Sequence, residues 1–77
     1  MWFLKLFQSK STEDLLEEAN RYYEMGDAVK ALDAFVKVLK REPENTQALF
    51  HIGTIQAGGG HFQAALGYFD KLITLDP

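Results

Sequence analysis

The sequence predicts an all-α fold in which one helical hairpin follows another. Apolar residues recur at three- and four-residue intervals along four stretches, which is the spacing of amphipathic helices. Gly or Pro separates these stretches, and none alternates as a strand does. The pattern also repeats after 34 residues, with 8 identities where average residue usage gives roughly two. The identical pairs are Thr12 and Thr46, Leu15 and Leu49, Gly26 and Gly60, Ala31 and Ala65, Leu32 and Leu66, Phe35 and Phe69, Lys37 and Lys71, and Pro43 and Pro77.

The first two predicted helices are bounded by residues that cap or end helices. Ser11 can cap the first helix, and acidic residues follow where the helix dipole favours them. Gly26 can adopt the left-handed turn that ends this helix, and Asp27 can cap the next. Pro43 ends the second helix. The apolar residues of the two helices are Leu15, Leu16, Ala19, Tyr22 and Tyr23, then Ala28, Ala31, Leu32, Phe35, Val38 and Leu39.

The pattern then begins again. Asn45 can cap a third helix, which the glycine run 58–60 interrupts, and a fourth helix follows as far as Pro77. Two helix–turn–helix units are therefore expected. The apolar residues of these helices are Ala48, Leu49, Ile52 and Ile55, then Phe62, Ala65, Leu66, Phe69, Leu72 and Ile73.

We divide the chain into an apolar N-terminal segment and a region of two repeats. The segment covers residues 1–10, and the repeat region covers 11–77, with units at 12–45 and 46–77. A short helix is predicted in the segment, with its large apolar side chains on one side. The segment is too short to cross a bilayer and lacks the features of a secretory signal. Those side chains are Trp2, Phe3, Leu6 and Phe7.

Composition excludes several classes of function. A net charge of −3 and the absence of a basic patch argue against a nucleic-acid partner. Without cysteine the chain has no disulfide or thiolate metal site, which favours a reducing compartment, and we expect the cytoplasm. His51 and His61 lack metal-ligand spacing, and the glycine run lacks the Lys of a phosphate-binding loop. No enzyme, metal or cofactor is expected.

The repeated landmarks resemble those of the tetratricopeptide repeat family. Small residues stand where two helix backbones must approach, and a Phe follows on the second helix of each unit. The sequence departs from the family pattern in having Leu for the usual Trp, Glu18 where Leu is common and Gln56 for the second Tyr. The matching residues are Leu15, Ala19, Tyr22, Ala31, Phe35 and Pro43 in one unit, and Leu49, Ile52, Gly53, Ala65, Phe69 and Pro77 in the other.

The resemblance implies two stacked hairpins, an α-α superhelix, whose first helices line a concave groove that holds a peptide or helix. Three apolar residues, Leu16, Tyr23 and Phe50, are expected to form a strip that faces solvent, beside an acidic rim. A protein or peptide ligand with apolar anchors and a basic flank would fit this surface. The groove residues implied are Glu13, Leu16, Glu17, Asn20, Tyr23, Glu24, Phe50 and Thr54.

Two alternatives remain open at this stage. In the first, the protein is a scaffold that forms homo-oligomers through Trp2, Phe3, Leu6 and Phe7 and through open repeat ends, since two units fall short of the three usually needed for stability. Leu16 and Phe50 would then be covered by the chain's own N-terminus or by a second copy. In the other, the aromatic N-terminus contacts a membrane interface.

Overall fold

The computed structural model describes residues 10–75, and these residues form four helices and no strand. Each helix packs against the next along the chain, so that two antiparallel hairpins are joined by contacts between their inner helices. The predicted all-α fold is confirmed, while the predicted N-terminal helix lies outside the described residues. The helices are α1 (Thr12–Glu24), α2 (Ala28–Arg41), α3 (Thr46–Gly58) and α4 (Phe62–Leu75).

The N-termini of the first three helices carry the predicted caps. In each case a side-chain oxygen accepts a hydrogen bond from the backbone N–H three residues later, which satisfies one of the unpaired donors of the first turn. These caps fix where each helix begins. The capping residues are Ser11, at 3.1 Å from the nitrogen of Asp14, Asp27, at 3.1 Å from that of Lys30, and Asn45, at 2.9 Å from that of Ala48.

Both hairpins turn in the same way at the repeated glycines. Gly26 has φ of 82° and Gly60 has φ of 85°, a conformation that favours glycine. The N–H of Gly26 donates to the carbonyl of Tyr23, and the N–H of Asp27 donates to that of Tyr22. The second turn has the same two bonds 34 residues later, from Gly60 and His61. This is the Schellman arrangement, so the sequence repeat is also a repeat of backbone geometry.

The core lies between α1, α2 and α3, with α2 at its centre. Phe35 on α2 is fully buried between the two hairpins, whereas its counterpart Phe69 on α4 is only partly buried. Small side chains let the helices approach closely around Phe35, as the sequence predicts. The buried apolar residues are Leu15, Ala19, Ala31, Ala34, Phe35, Val38, Ala48, Leu49, Ile52 and Ala65.

The second hairpin closes where Phe69 lies against Gly53. A Cβ atom added at Gly53 would lie 2.7 Å from Cε1 and 2.9 Å from Cζ of the Phe69 ring. Real Cβ atoms do not come so close to carbon, so any larger residue must push the ring outward. Gly53 is therefore required by the packing of α3 on α4 and not by its own backbone conformation.

Replacing Gly53 by Ala tests this contact. Overpacking costs about 1–3 kcal/mol, while the change from Gly to Ala within a helix returns about 0.5–1 kcal/mol. We therefore expect a net loss of about 1 kcal/mol in the free energy of unfolding, measured by urea denaturation. Gly67→Ala is the matched control on α4, since a Cβ there meets nothing within 4 Å, and it should stabilise the chain. Equal stabilisation by both substitutions would contradict the packing of Phe69 on Gly53.

The two ends of the stack differ in polarity. Glu18 on α1 occupies the repeat position that Ile52 fills on α3, and it pairs with the ammonium of Lys10. This hydrogen bond and the lysine charge lower the pKa of the Glu18 carboxyl. Arg41 donates to the carbonyl of Lys10, which holds the chain just before α1 beside the end of α2. Polar contacts thus take the place of apolar packing at this end.

The α4 end is apolar. Phe62, Leu66 and Ile73 are 66%, 59% and 61% exposed, and their spacing places them on one face of the helix. The corresponding face of α2 packs against α3, but nothing in residues 10–75 covers this face of α4. We define these three residues as the α4 face. None of the four helices is both long enough and apolar enough to cross a membrane.

Candidate functional site

Four aromatic side chains from three helices form a continuous row, which we call the aromatic row. His51 on α3 contacts Tyr23 on α1 edge-to-face, with ring centroids 5.0 Å apart. Phe50 lies 5.4 Å from His51 and 6.4 Å from Phe69 on α4. Such geometries are those that aromatic pairs prefer. The row therefore links the first helix of one hairpin to both helices of the other.

The row is joined to the core through His51. The imidazole stacks on the fully buried ring of Phe35, with centroids 4.8 Å apart and an angle of 14° between the planes. Its Nδ1 atom is buried and has no hydrogen-bond partner among the described residues. Burial lowers the pKa of His51 below its ordinary value of 6.5, because a charged ring loses hydration there. His51 is thus an uncharged aromatic contact between the hairpins.

The sequence pattern did not identify this role. His51 is one residue from Phe50 and one from the buried Ile52, so helical periodicity alone leaves its contacts open. Only the packing of α3 against α2 brings the imidazole onto Phe35. His51 is absent from the predicted site residues because its contact with Phe35 joins residues 16 apart in the chain, which a local pattern does not reveal.

The lowered pKa predicts a pH dependence of stability. Between the folded-state pKa of His51 and about 6.5, the unfolded chain binds more protons, so the free energy of unfolding rises with pH. The stabilisation should be complete above that range and should be lost as the pH falls through it. His51→Phe keeps an aromatic ring but has no group that titrates. In this variant the midpoint of urea denaturation should depend less on pH between about pH 5.5 and 7.5. His61→Gln should keep the slope that His51 causes, and an unchanged slope in His51→Phe would contradict the assignment.

The apolar residues predicted for the groove fall into two groups. Tyr23 is 37% exposed and Phe50 is 50% exposed, and both contact His51. Leu16 is partly buried and packs against the core, which corrects the expectation that this side chain faces solvent with the other two. Its position explains this, since Leu16 is adjacent to Leu15 and one helical turn from Ala19, both of which are buried. The solvent-facing strip is therefore centred on Tyr23 and Phe50.

The polar groove residues make the two first helices electrically different. Glu13, Glu17 and Glu24 are exposed on α1, with Asn20 partly buried between them. Five acids and one Arg give α1 a net charge of −4 (1 − 5), whereas α3 has no Asp, Glu, Lys or Arg. Thr54 on α3 donates its hydroxyl hydrogen to the carbonyl of Phe50 at 2.9 Å. The surface thus offers negative charge over α1 and a neutral face over α3.

A cavity of about 600 Å³ opens between the two hairpin turns, at the end of the aromatic row. Tyr23 and Thr54, both predicted groove residues, line it together with residues that the sequence reasoning did not select. The glycines of the two turns could have indicated it, because three of them line it and have no side chain to fill the space. The additional lining residues are Gly26, Ala28, Val29, Leu32, Ile55, Gln56, Gly58, Gly59 and His61.

The predicted self-association residues Trp2, Phe3, Leu6 and Phe7 lie outside the described residues. In the part of the chain from residue 10 to residue 75, no three His, Asp or Glu side chains are placed to share a metal ion. The described site therefore consists of aromatic rings, carboxylates and an apolar cavity, which are groups suited to binding.

The fold and this surface define a helical-repeat protein built from stacked helical hairpins. The sequence model of the tetratricopeptide repeat matches residues 16–77. The chain belongs to the tetratricopeptide repeat family, whose members are generally modules for protein–protein interaction and not enzymes. No curated protein matches the sequence closely enough to count as a relative.

Proposed function

We propose that the chain binds a peptide or helix from a protein partner along the aromatic row. The observation that carries the proposal is the partial exposure of Tyr23 and Phe50, both packed on His51 at the junction between the hairpins. Large aromatic rings held by a neighbouring ring bind with little loss of side-chain freedom. A partner side chain that covers them removes apolar surface from water, at about 25 cal/mol per Å².

The carboxylates of α1 select the charge of the partner. Glu13, Glu17 and Glu24 are exposed, and none pairs with a base among residues 10–75. Rim charges of this kind mainly steer association and reject partners of like charge, while the buried apolar contacts supply affinity. The partner that fits is a segment with apolar anchors and basic residues beside them.

The test begins with a phage-displayed dodecapeptide library panned against the chain. Enriched peptides should combine large apolar residues with Lys or Arg. Replacing Tyr23 or Phe50 by Ala should weaken their binding about tenfold or more, as expected for interface aromatic residues. Glu17→Gln should weaken binding less, and chiefly at low salt, because exposed charges are screened.

Two controls make this result interpretable. Circular dichroism establishes that each variant keeps its helices, and Lys40→Ala changes an exposed residue on α2 that belongs neither to the row nor to the α4 face. Lys40→Ala should bind the peptides as the unaltered chain does. Unchanged binding in both Tyr23→Ala and Phe50→Ala would refute the proposed groove.

A second candidate function is self-assembly, and the α4 face favours it. Three large apolar side chains more than half exposed on one helix face are unusual for an isolated surface. A second copy could cover this face, and the N-terminal aromatics could contribute. Both routes would make the protein a scaffold.

Light scattering over a range of concentrations tests this candidate. The full chain should show a mass above that of one chain, and Leu66→Lys should return it to a monomer because it places a charge on the α4 face. A chain starting at Ser9 separates the contribution of the N-terminal aromatics from that of α4. A monomer for the full chain at every concentration would exclude self-assembly.

A further inference from the structure

The cavity between the turns adjoins the aromatic row and shares one residue with it. Tyr23 belongs to both, and Thr54 lies one helical turn beyond Phe50 on α3. Four residues of helix correspond to about 6 Å along its axis. The cavity is therefore one helical turn away from the exposed ring of Phe50.

The walls of the cavity are mostly apolar and are set by the two hairpins. Val29 and Leu32 come from α2, and Ile55 comes from α3. Val29 is 80% exposed, so this wall is left open to solvent by the folded chain. Gly58 lines the opposite side, and a Cβ atom there would meet nothing within 4 Å. Gly26, Gly58 and Gly59 also line the cavity, so at three positions of its wall there is no side chain to fill the space.

The charges around the cavity favour one kind of occupant. Glu24 directly follows Tyr23, is exposed, and has no basic partner among residues 10–75. The α3 residues that line the cavity include no Asp, Glu, Lys or Arg, and His61 of the second turn also lines it. The α1 helix, which brings Tyr23 to the cavity, has five acids and one Arg, and this negative charge is complementary to a positive group next to an apolar one.

We propose that this cavity receives one bulky apolar side chain, such as that of Leu or Met, from an extended basic segment of a protein partner. An extended chain advances about 3.3 Å per residue, and its side chains alternate between two sides. Two residues therefore span the helical turn between Phe50 and the cavity. The segment places one anchor on Phe50, the anchor two positions away in the cavity, and a basic residue over Glu24. This inference rests on the proposed function and adds the spacing and charge of the ligand.

Synthetic peptides test the spacing and the charge. The probe is the acetylated, amidated peptide Lys-Ala-Leu-Ala-Leu-Ala-Lys, titrated into the ¹⁵N-labelled chain and followed by NMR. Saturable shifts are expected at the amides of Val29, Gly58 and Gly59 and along the aromatic row. Replacing either Leu by Ser should weaken binding about tenfold or more, and replacing both Lys by Glu should weaken it strongly at low salt. An absence of saturable shifts at the cavity would overturn the proposal.

A matched pair of variants tests the cavity itself. Gly58→Leu adds a large side chain on α3 at a residue that lines the cavity, where the backbone is helical and the space is free, so the fold should be kept. Gly67→Leu adds the same side chain on α4, where there is also free space and no cavity. We expect Gly58→Leu to reduce the affinity for the peptide about tenfold. In this variant, replacing one of the two Leu residues of the peptide by Ser should cause no further loss of affinity. Gly67→Leu should change neither result.

The outcomes separate the cavity from the groove. If Gly58→Leu binds the peptide like the unaltered chain while Phe50→Ala weakens it, the cavity is refuted and the groove stands. If Gly58→Leu weakens binding while Phe50→Ala does not, the anchor on Phe50 and with it the two-anchor spacing are refuted. Equal loss in Gly58→Leu and Gly67→Leu would also refute the cavity, because the effect would then not depend on filling it.

Discussion

The stacking of Phe35 on His51 is the contact on which the rest of the structure depends. Phe35 belongs to the first hairpin and is fully buried, while His51 belongs to the second and is partly exposed. His51 therefore joins the hairpins through its contact with Phe35 and also holds Tyr23 and Phe50 in place. In a repeat of two units there is one such junction, so the fold and the candidate site share a single element of stability.

The local features of the fold could be predicted from the sequence because they depend on residues close in the chain. Caps at Ser11, Asp27 and Asn45 and left-handed turns at Gly26 and Gly60 follow from local chemistry alone. The 34-residue repeat supplied the pairing of the helices. The groove itself remains a prediction, but its two exposed aromatic residues, Tyr23 and Phe50, both contact His51.

The parts that could not be predicted depend on contacts between distant residues. The family resemblance placed Leu16 on a solvent-facing strip, although that side chain packs against the core. Periodicity gave no reason to place His51 against Tyr23, and the cavity arises where two turns approach in space. The end at α1 is polar because Glu18 occupies the position that Ile52 fills on α3. The end at α4 is apolar because none of the other described helices packs on that face.

The most direct measurement is a set of nuclear Overhauser effects among the aromatic rings of the folded chain. If the two hairpins pack through His51 as described, the ring protons of His51 give cross-peaks to those of Phe35, Tyr23 and Phe50 in one sample. A well-folded helical protein in which His51 gives no cross-peak to Phe35 would contradict the junction, and with it the placement of the aromatic row.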